Sequence, residues 1–165
     1  MIILGIDPGT AITGFGIIEF DGYDFQLIDC GSIITSKDLP HQQRIVQIIA
    51  DLGSLIDKYK PDQVALEELF FSKNVKTALL VSESRGAIIH ELASKNYTVN
   101  QYKPNQVKVN ICGYGSAPKI QVQKMVQIIL KLSSPPKPDD AADALAIAIC
   151  HANHLKYQNL NQNNA

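Results

Sequence analysis

Two short apolar runs in this chain each stop at an acid, and that repetition narrows the possible folds more than any other feature. Ile2-Ile3-Leu4-Gly5-Ile6 is rich in β-branched residues and ends in Asp7-Pro8-Gly9, while Gln63-Val64-Ala65-Leu66 ends in Glu67-Glu68. Short apolar runs closed by turn formers or charge read as buried strands. Both acids then sit at the carboxyl ends of strands, where open α/β sheets place their sites if the strands are parallel neighbours. Neighbouring strands lie about 4.8 Å apart, so two such carboxylates could share one metal ion.

The remaining pattern supplies the rest of the sheet and its covering helices. Gly14–Phe20 and Phe25–Thr35 are strand candidates, and Asp21-Gly22 between them is a hairpin signal. Ile45, Ile48, Ile49, Leu52, Leu55, Ile56 and Tyr59 recur at three and four, which predicts an amphipathic helix over His41–Tyr59, stopped by Pro61. A helix over Val75–Lys95, a strand over Tyr97–Tyr102 and a short helix from Pro104 to near Gly113 follow. Ser116 is the expected N-cap of a helix over Pro118–Leu132, and a last, alanine-rich helix starts at Asp139 or Asp140 and runs to about Leu155. Three antiparallel strands followed by alternating helices and parallel strands imply a mixed five-stranded α/β sheet flanked by helices on both faces, an order consistent with the RNase H-like fold.

A chain of 165 residues with 45% hydrophobic content can fill one core. A single domain is expected over residues 1–156, and the Asn- and Gln-rich tail, 157–165, is expected to be disordered. No window supplies the ~18–20 apolar residues of a membrane span, and the first residues lack the basic flank of a signal peptide, so a soluble cytoplasmic protein is expected. Cys30, Cys112 and Cys150 are odd in number and widely spaced, which argues against a disulfide framework or a Cys-based zinc site. The net charge of −1 speaks mildly against nucleic-acid binding. That total hides a segregation: no acid lies between Glu91 and Asp139, a stretch carrying Lys95, Lys103, Lys108, Lys119, Lys124, Lys131 and Lys137. Such a segment could form a basic face for a polyanion or simply a solvated lysine surface.

Asp140 and Asp143 are three apart in the first turn of the last helix and share one of its faces. Each acid has an ordinary explanation. An Asp-Pro-Gly carboxylate bonds its own turn, first-turn acids favour the helix dipole, and Glu67 or Glu68 could be a solvated strand end. The case for a site rests on the coincidence of three acidic positions. If they meet, carboxylate oxygens without Cys or His select magnesium or manganese over zinc. Two such ions about 4 Å apart suit in-line hydrolysis of a phosphodiester. His151 and His154 have an HxxH spacing but no third ligand in the sequence.

Gly5-Ile6-Asp7-Pro8-Gly9-Thr10 with Thr13-Gly14-Phe15-Gly16 resembles the opening of the RuvC family of Holliday-junction resolvases. Ala65-Leu66-Glu67-Glu68-Leu69-Phe70 resembles the family's second acidic motif. Gly113-Tyr114-Gly115-Ser116-Ala117-Pro118-Lys119 is similar to its basic loop, and Asp140-Ala141-Ala142-Asp143-Ala144-Leu145-Ala146 to its C-terminal acidic motif. The resemblance implies a homodimer that resolves four-way DNA junctions by paired symmetric nicks, with a RuvA–RuvB branch-migration complex as partner. It implies Asp7, Glu67, Asp140 and Asp143 as catalytic and metal-binding acids, two Mg2+ per subunit with Mn2+ able to substitute, and Lys108 and Lys119 on the DNA-binding surface. Phe70 is implied as the aromatic that probes bases at the junction centre, the alternative being a core residue beside Phe71. An actin-like ATPase also has an Asp-x-Gly-Thr loop after a strand, but such proteins enclose nucleotide between two lobes that 165 residues cannot build. A non-catalytic junction binder and a nuclease acting on RNA are the other readings.

Overall fold

The computed structural model describes residues 1–69 and 75–162. β1 (Ile2–Asp7), β2 (Ile12–Phe20) and β3 (Phe25–Ile34) form the antiparallel part of the sheet. The hairpin between the last two is closed by Asp21, whose carboxylate accepts the Tyr23 and Asp24 amides at 2.8 Å each. After α1 (His41–Tyr59), β4 (Gln63–Glu67) lies parallel to β1. After α2 (Val75–Ser94), β5 (Val99–Tyr102) lies parallel to β4. Three helices close the chain: α3 (Pro104–Cys112), α4 (Lys119–Ile129) and α5 (Asp139–Gln162). The strand order β3-β2-β1-β4-β5 gives the mixed five-stranded sheet of the RNase H-like fold.

Alternation along the strands sorts the core into two layers. Leu4, Ile6, Ile17, Val64 and Leu66 pack on one face against Ile48, Leu52 and Ile56 of α1 and Ile88 and Leu92 of α2. Ile3, Ile18 and Ala65 face the other way, into a layer built with α3, α4 and α5. By the same alternation Asp7 and Glu67 belong to this second face.

α5 is buried on every side from Ala144 to Ala152, as expected for a helix without a polar face in that stretch. It lies against the sheet at backbone contact. A Cβ on Gly5 would stand 2.1 Å from the Ala144 carbonyl oxygen, one on Gly14 2.1 Å from that of Asp140, and one on Gly16 2.6 Å from the Leu145 nitrogen. Gly5 and Gly16 are cross-strand partners, as are Asp7 and Gly14. The three glycines therefore make a bare strip across β1 and β2, and the small Ala144 and Ala148 of α5 settle onto it.

Several boundaries differ from the sequence reading, among them β2, which starts at Ile12, and α4, which ends at Ile129. α4 has Pro118 in the cap position with no side-chain cap bond, so Ser116 is not its N-cap. β5 starts at Val99 because the Tyr97 amide turns back to the Leu92 carbonyl (3.0 Å), with Asn96 left-handed at φ 65°. α5 continues to Gln162, so residues 157–162 are helical where a disordered tail was expected. Once the buried part of a helix exists, each added residue closes a further hydrogen bond. Lys156 also sits over the Tyr23 ring, 5.2 Å from its centre.

Because the atoms opposing Gly5 are backbone, the helix has no side chain to move aside. Gly5→Ala should lower unfolding free energy by about 1–3 kcal/mol in urea titrations, the usual cost of overpacking. An unchanged midpoint would mean that α5 does not touch the strip.

Candidate active site

Asp7 and Glu67 are the last residues of β1 and β4, and the register Ile6↔Leu66 sets them side by side. Their side chains are hydrogen-bonded to each other. Glu68, one residue on, falls on the opposite side of the strand, where its charge acts on Arg85 of α2. Gly14, the cross-strand partner of Asp7, receives the backbone of Asp140, so the first turn of α5 is delivered directly beside β1. Asp143 follows on the same helix face and is bridged to Lys119, at the start of α4, at 2.8 Å.

The electrostatics are those of acids crowded out of water. Burial, then the charges of Asp143 and Asp140, push the Asp7 carboxyl up to about 6. Burial, then the charges of Asp7 and Asp143, push Glu67 up to about 8, so the pair retains a proton more readily than free carboxylates do. Asp143 is also raised by burial, against the pull of Lys119. Burial opposes the charge on Lys119, but its bond to Asp143 and the nearby acids outweigh that and hold the ammonium above its ordinary range.

Between these groups is a cavity of about 210 Å³ whose lining combines Glu67 and Asp143 with Lys108 and Lys119 and the apolar Val107, Val122 and Ala146. Of the expected residues, the structure thus assembles Asp7, Glu67, Asp140, Asp143, Lys108 and Lys119. Phe70 lies outside the described residues.

Among the described residues no three acids, histidines or cysteines form a ready-made coordination group. The acids instead face one another as a hydrogen-bonded pair and a lysine-bridged one. The donor set is all carboxylate oxygen, and the raised proton affinities of Asp7, Glu67 and Asp143 mark negative charge that a hard divalent cation would neutralise. His151 is no part of it. It is buried in the core, with Nδ1 2.7 Å from the Tyr102 hydroxyl and Nε2 3.3 Å from Gln63 Oε1, and burial, then His154, lowers it to about 4. His154 packs edge-on against Tyr102.

The acid-free stretch does not form one basic face. Lys95 pairs with Asp57 (2.9 Å) and Glu91 (3.8 Å), and Lys131 with Asp24 (3.0 Å), each away from the cavity. Lys108 and Lys119 are the two that reach it. The sequence reading also overlooked Thr10, Ser84 and Arg85, whose hydrogen bonds tie α2 to the two acid-bearing strand ends. The signal available was Ser84, which shares the buried spacing of Ile88 and Leu92 on α2.

The model of the family described as "Crossover junction endodeoxyribonuclease RuvC" matches residues 3–151. The chain belongs to the RuvC family. Its resemblance to other members extends over nearly the whole length. It is 49% identical over 160 residues to the RuvC crossover junction endodeoxyribonuclease of Alkaliphilus metalliredigens, covering 97% of this chain and 98% of the relative. It is 53% identical over 152 residues to that of Caldicellulosiruptor saccharolyticus, covering 92% of each. The structure of T. thermophilus RuvC in complex with Holliday junction substrate superposes with a TM-score of 0.90 at 34% identity, covering 96% of both chains. No helix among the described residues is long and apolar enough to cross a membrane.

The acid pair fixes how stability should change with pH. A carboxyl whose folded pKa is raised is disfavoured when ionised. Its contribution is therefore fully present below its ordinary pKa and is lost as pH rises through the folded value, here about 6 for Asp7 and about 8 for Glu67. In chelator-containing buffer, Glu67→Gln should melt at a higher temperature than wild type at pH 9 and near the wild-type temperature at pH 4. A variant with the same offset at both would contradict the crowding of these acids.

Proposed function

We propose that this chain cuts four-way (Holliday) DNA junctions, hydrolysing phosphodiester bonds at a metal site made by Asp7, Glu67, Asp140 and Asp143. The observation that carries this reading is the Asp7–Glu67 hydrogen-bonded pair beside the Lys119–Asp143 bridge, on the edge of a lysine-flanked cavity. The family's crossover-junction endodeoxyribonuclease activity and the solved junction complex of the T. thermophilus relative support the substrate.

Two magnesium ions held by these acids, or manganese in their place, would supply an activated water and charge neutralisation at the leaving 3′ oxygen. The chain's own groups prepare that step. Asp7 and Glu67 give up the proton they share, which exposes two carboxylates on adjacent strands. Asp143 would help to hold the cation, and the Lys119 ammonium, which stands 2.8 Å from Asp143 in the cavity lining, would meet a phosphate oxygen. Lys108 meets the backbone of the strand from the other side. The valines of the lining limit water around the developing charge. Phe70, the last residue of the second acidic motif, probes the unpaired bases.

Paired nicks need two such sites, which a homodimer supplies. α2 is the surface proposed for it. Ile88 and Leu92 fill the core, while Leu79 on the same helix is 59% exposed. A RuvA–RuvB branch-migration complex, acting in the cytoplasm on nucleoid DNA, would deliver the junction.

Asp7→Asn preserves shape and removes the charge. It should bind a mobile four-way junction within about twofold of wild type, a change under ~0.5 kcal/mol, and lose cleavage in magnesium. Wild-type protein in magnesium should cut the junction and leave a matched duplex and a single strand intact. Cleavage of the junction by Asp7→Asn at the wild-type rate would remove the acids from the chemistry.

A further inference from the structure

Although none of its described side chains lines the cavity, α2 is bonded to both strand ends that carry the central acids. Thr10, three residues beyond Asp7, donates from Oγ1 to the Leu80 carbonyl at 3.0 Å. Its hydroxyl lies 2.9 Å from that of Ser84, and Ser84 lies 3.2 Å from the same carbonyl, in a pocket closed to solvent. From the far side, Thr35 donates to the Thr10 carbonyl at 2.6 Å and is itself held by Arg44 Nε at 2.8 Å. The loop leaving Asp7 is thus fixed between α1 and α2.

The next residue of α2, Arg85, does the same for the second acid. Its Nε donates to the main-chain carbonyl of Glu67 at 3.1 Å, and its Nη2 donates to Oε1 of Gln101 on β5. Glu67 ends β4, and β5 ends opposite it at Tyr102. The guanidinium therefore joins the two strand ends just where the sheet runs out. Only a planar fork can satisfy two such acceptors together.

We infer that Arg85, with the Thr10–Ser84 contact, is a positioning residue of the metal site: adjacent residues of one helix fix where Asp7 and Glu67 stand relative to each other. The inference rests on the proposed role of these acids. It makes the seating of α2 a determinant of metal affinity. Asp7 and Glu67 repel once ionised, and a pair that repels stays at chelating distance only if its main chain is held.

The test uses full-length protein and Mn2+ as the probe, with free Mn2+ counted by electron paramagnetic resonance and junction cleavage followed in single turnover. Arg85→Ala should weaken Mn2+ binding about 10- to 100-fold, as losing a group that orients a ligand does. It should slow cleavage at limiting Mg2+ and leave junction affinity unchanged. Arg85→Lys keeps the charge without the fork and should recover only part of the loss. Leu92→Ala, in the core two turns further along α2, should lower the melting temperature without moving Mn2+ affinity. Wild-type Mn2+ binding by Arg85→Ala, alongside loss of binding by Asp7→Asn, would overturn this inference alone. An equal shift in Leu92→Ala would also overturn it, by making the effect one of stability. Undiminished Mn2+ binding by Asp7→Asn would overturn the acid-site reading and this inference with it.

Discussion

Everything at the acidic end of this molecule depends on how closely α5 approaches the sheet. Packed helices and sheets are ordinarily separated by two layers of side chains, and at that distance the first turn of α5 could not reach β1. Gly5, Gly14 and Gly16 remove one layer and the alanines of α5 reduce the other, so backbone meets backbone. The same contact that fills the core delivers Asp140 beside the cross-strand partner of Asp7. Core packing and site assembly are one event here, and a residue that loosens the first should misplace the second.

That delivery is opposed by the charges it gathers. Burial and neighbouring charge raise the proton affinities of Asp7, Glu67 and Asp143, and the structure relieves the repulsion with the means it has: a proton on the Asp7–Glu67 pair, and the ammonium of Lys119 against Asp143. In the proposed mechanism a divalent cation would replace both, and the Lys119 ammonium would neutralise Asp143 in one state and meet phosphate in the next. Lys95 and Lys131, neutralised by Asp57 and Asp24, show that position rather than charge alone selects Lys108 and Lys119.

The strands and helices were largely legible because their signals are local. The bounds of α1 follow from a seven-member apolar repeat ended by Pro61, and two short buried runs mark β1 and β4, whose parallel pairing the structure then supplies. The four acids were legible as positions, and the family resemblance chose Glu67 over Glu68; the pleat then gives the reason, since the two point to opposite faces. What could not be read depends on pairs far apart in the chain. Glycines in strands read as weak points, and only the docked helix shows why Gly5 and Gly14 are bare. The Lys119–Asp143 bridge and the reach of Arg85 to Glu67 likewise need the fold before they exist. The tail was misread for the opposite reason: polar composition says little about a helix already propagating from a buried core.

Diffraction from crystals soaked in Mn2+, with anomalous maps collected at the manganese edge, tests the convergence of these acids most directly. The account predicts anomalous density bounded by the carboxylates of Asp7, Glu67 and Asp143, with the Lys119 ammonium withdrawn from Asp143. Density elsewhere on the molecule, with the Lys119–Asp143 bridge intact and the four acids bare, would contradict it.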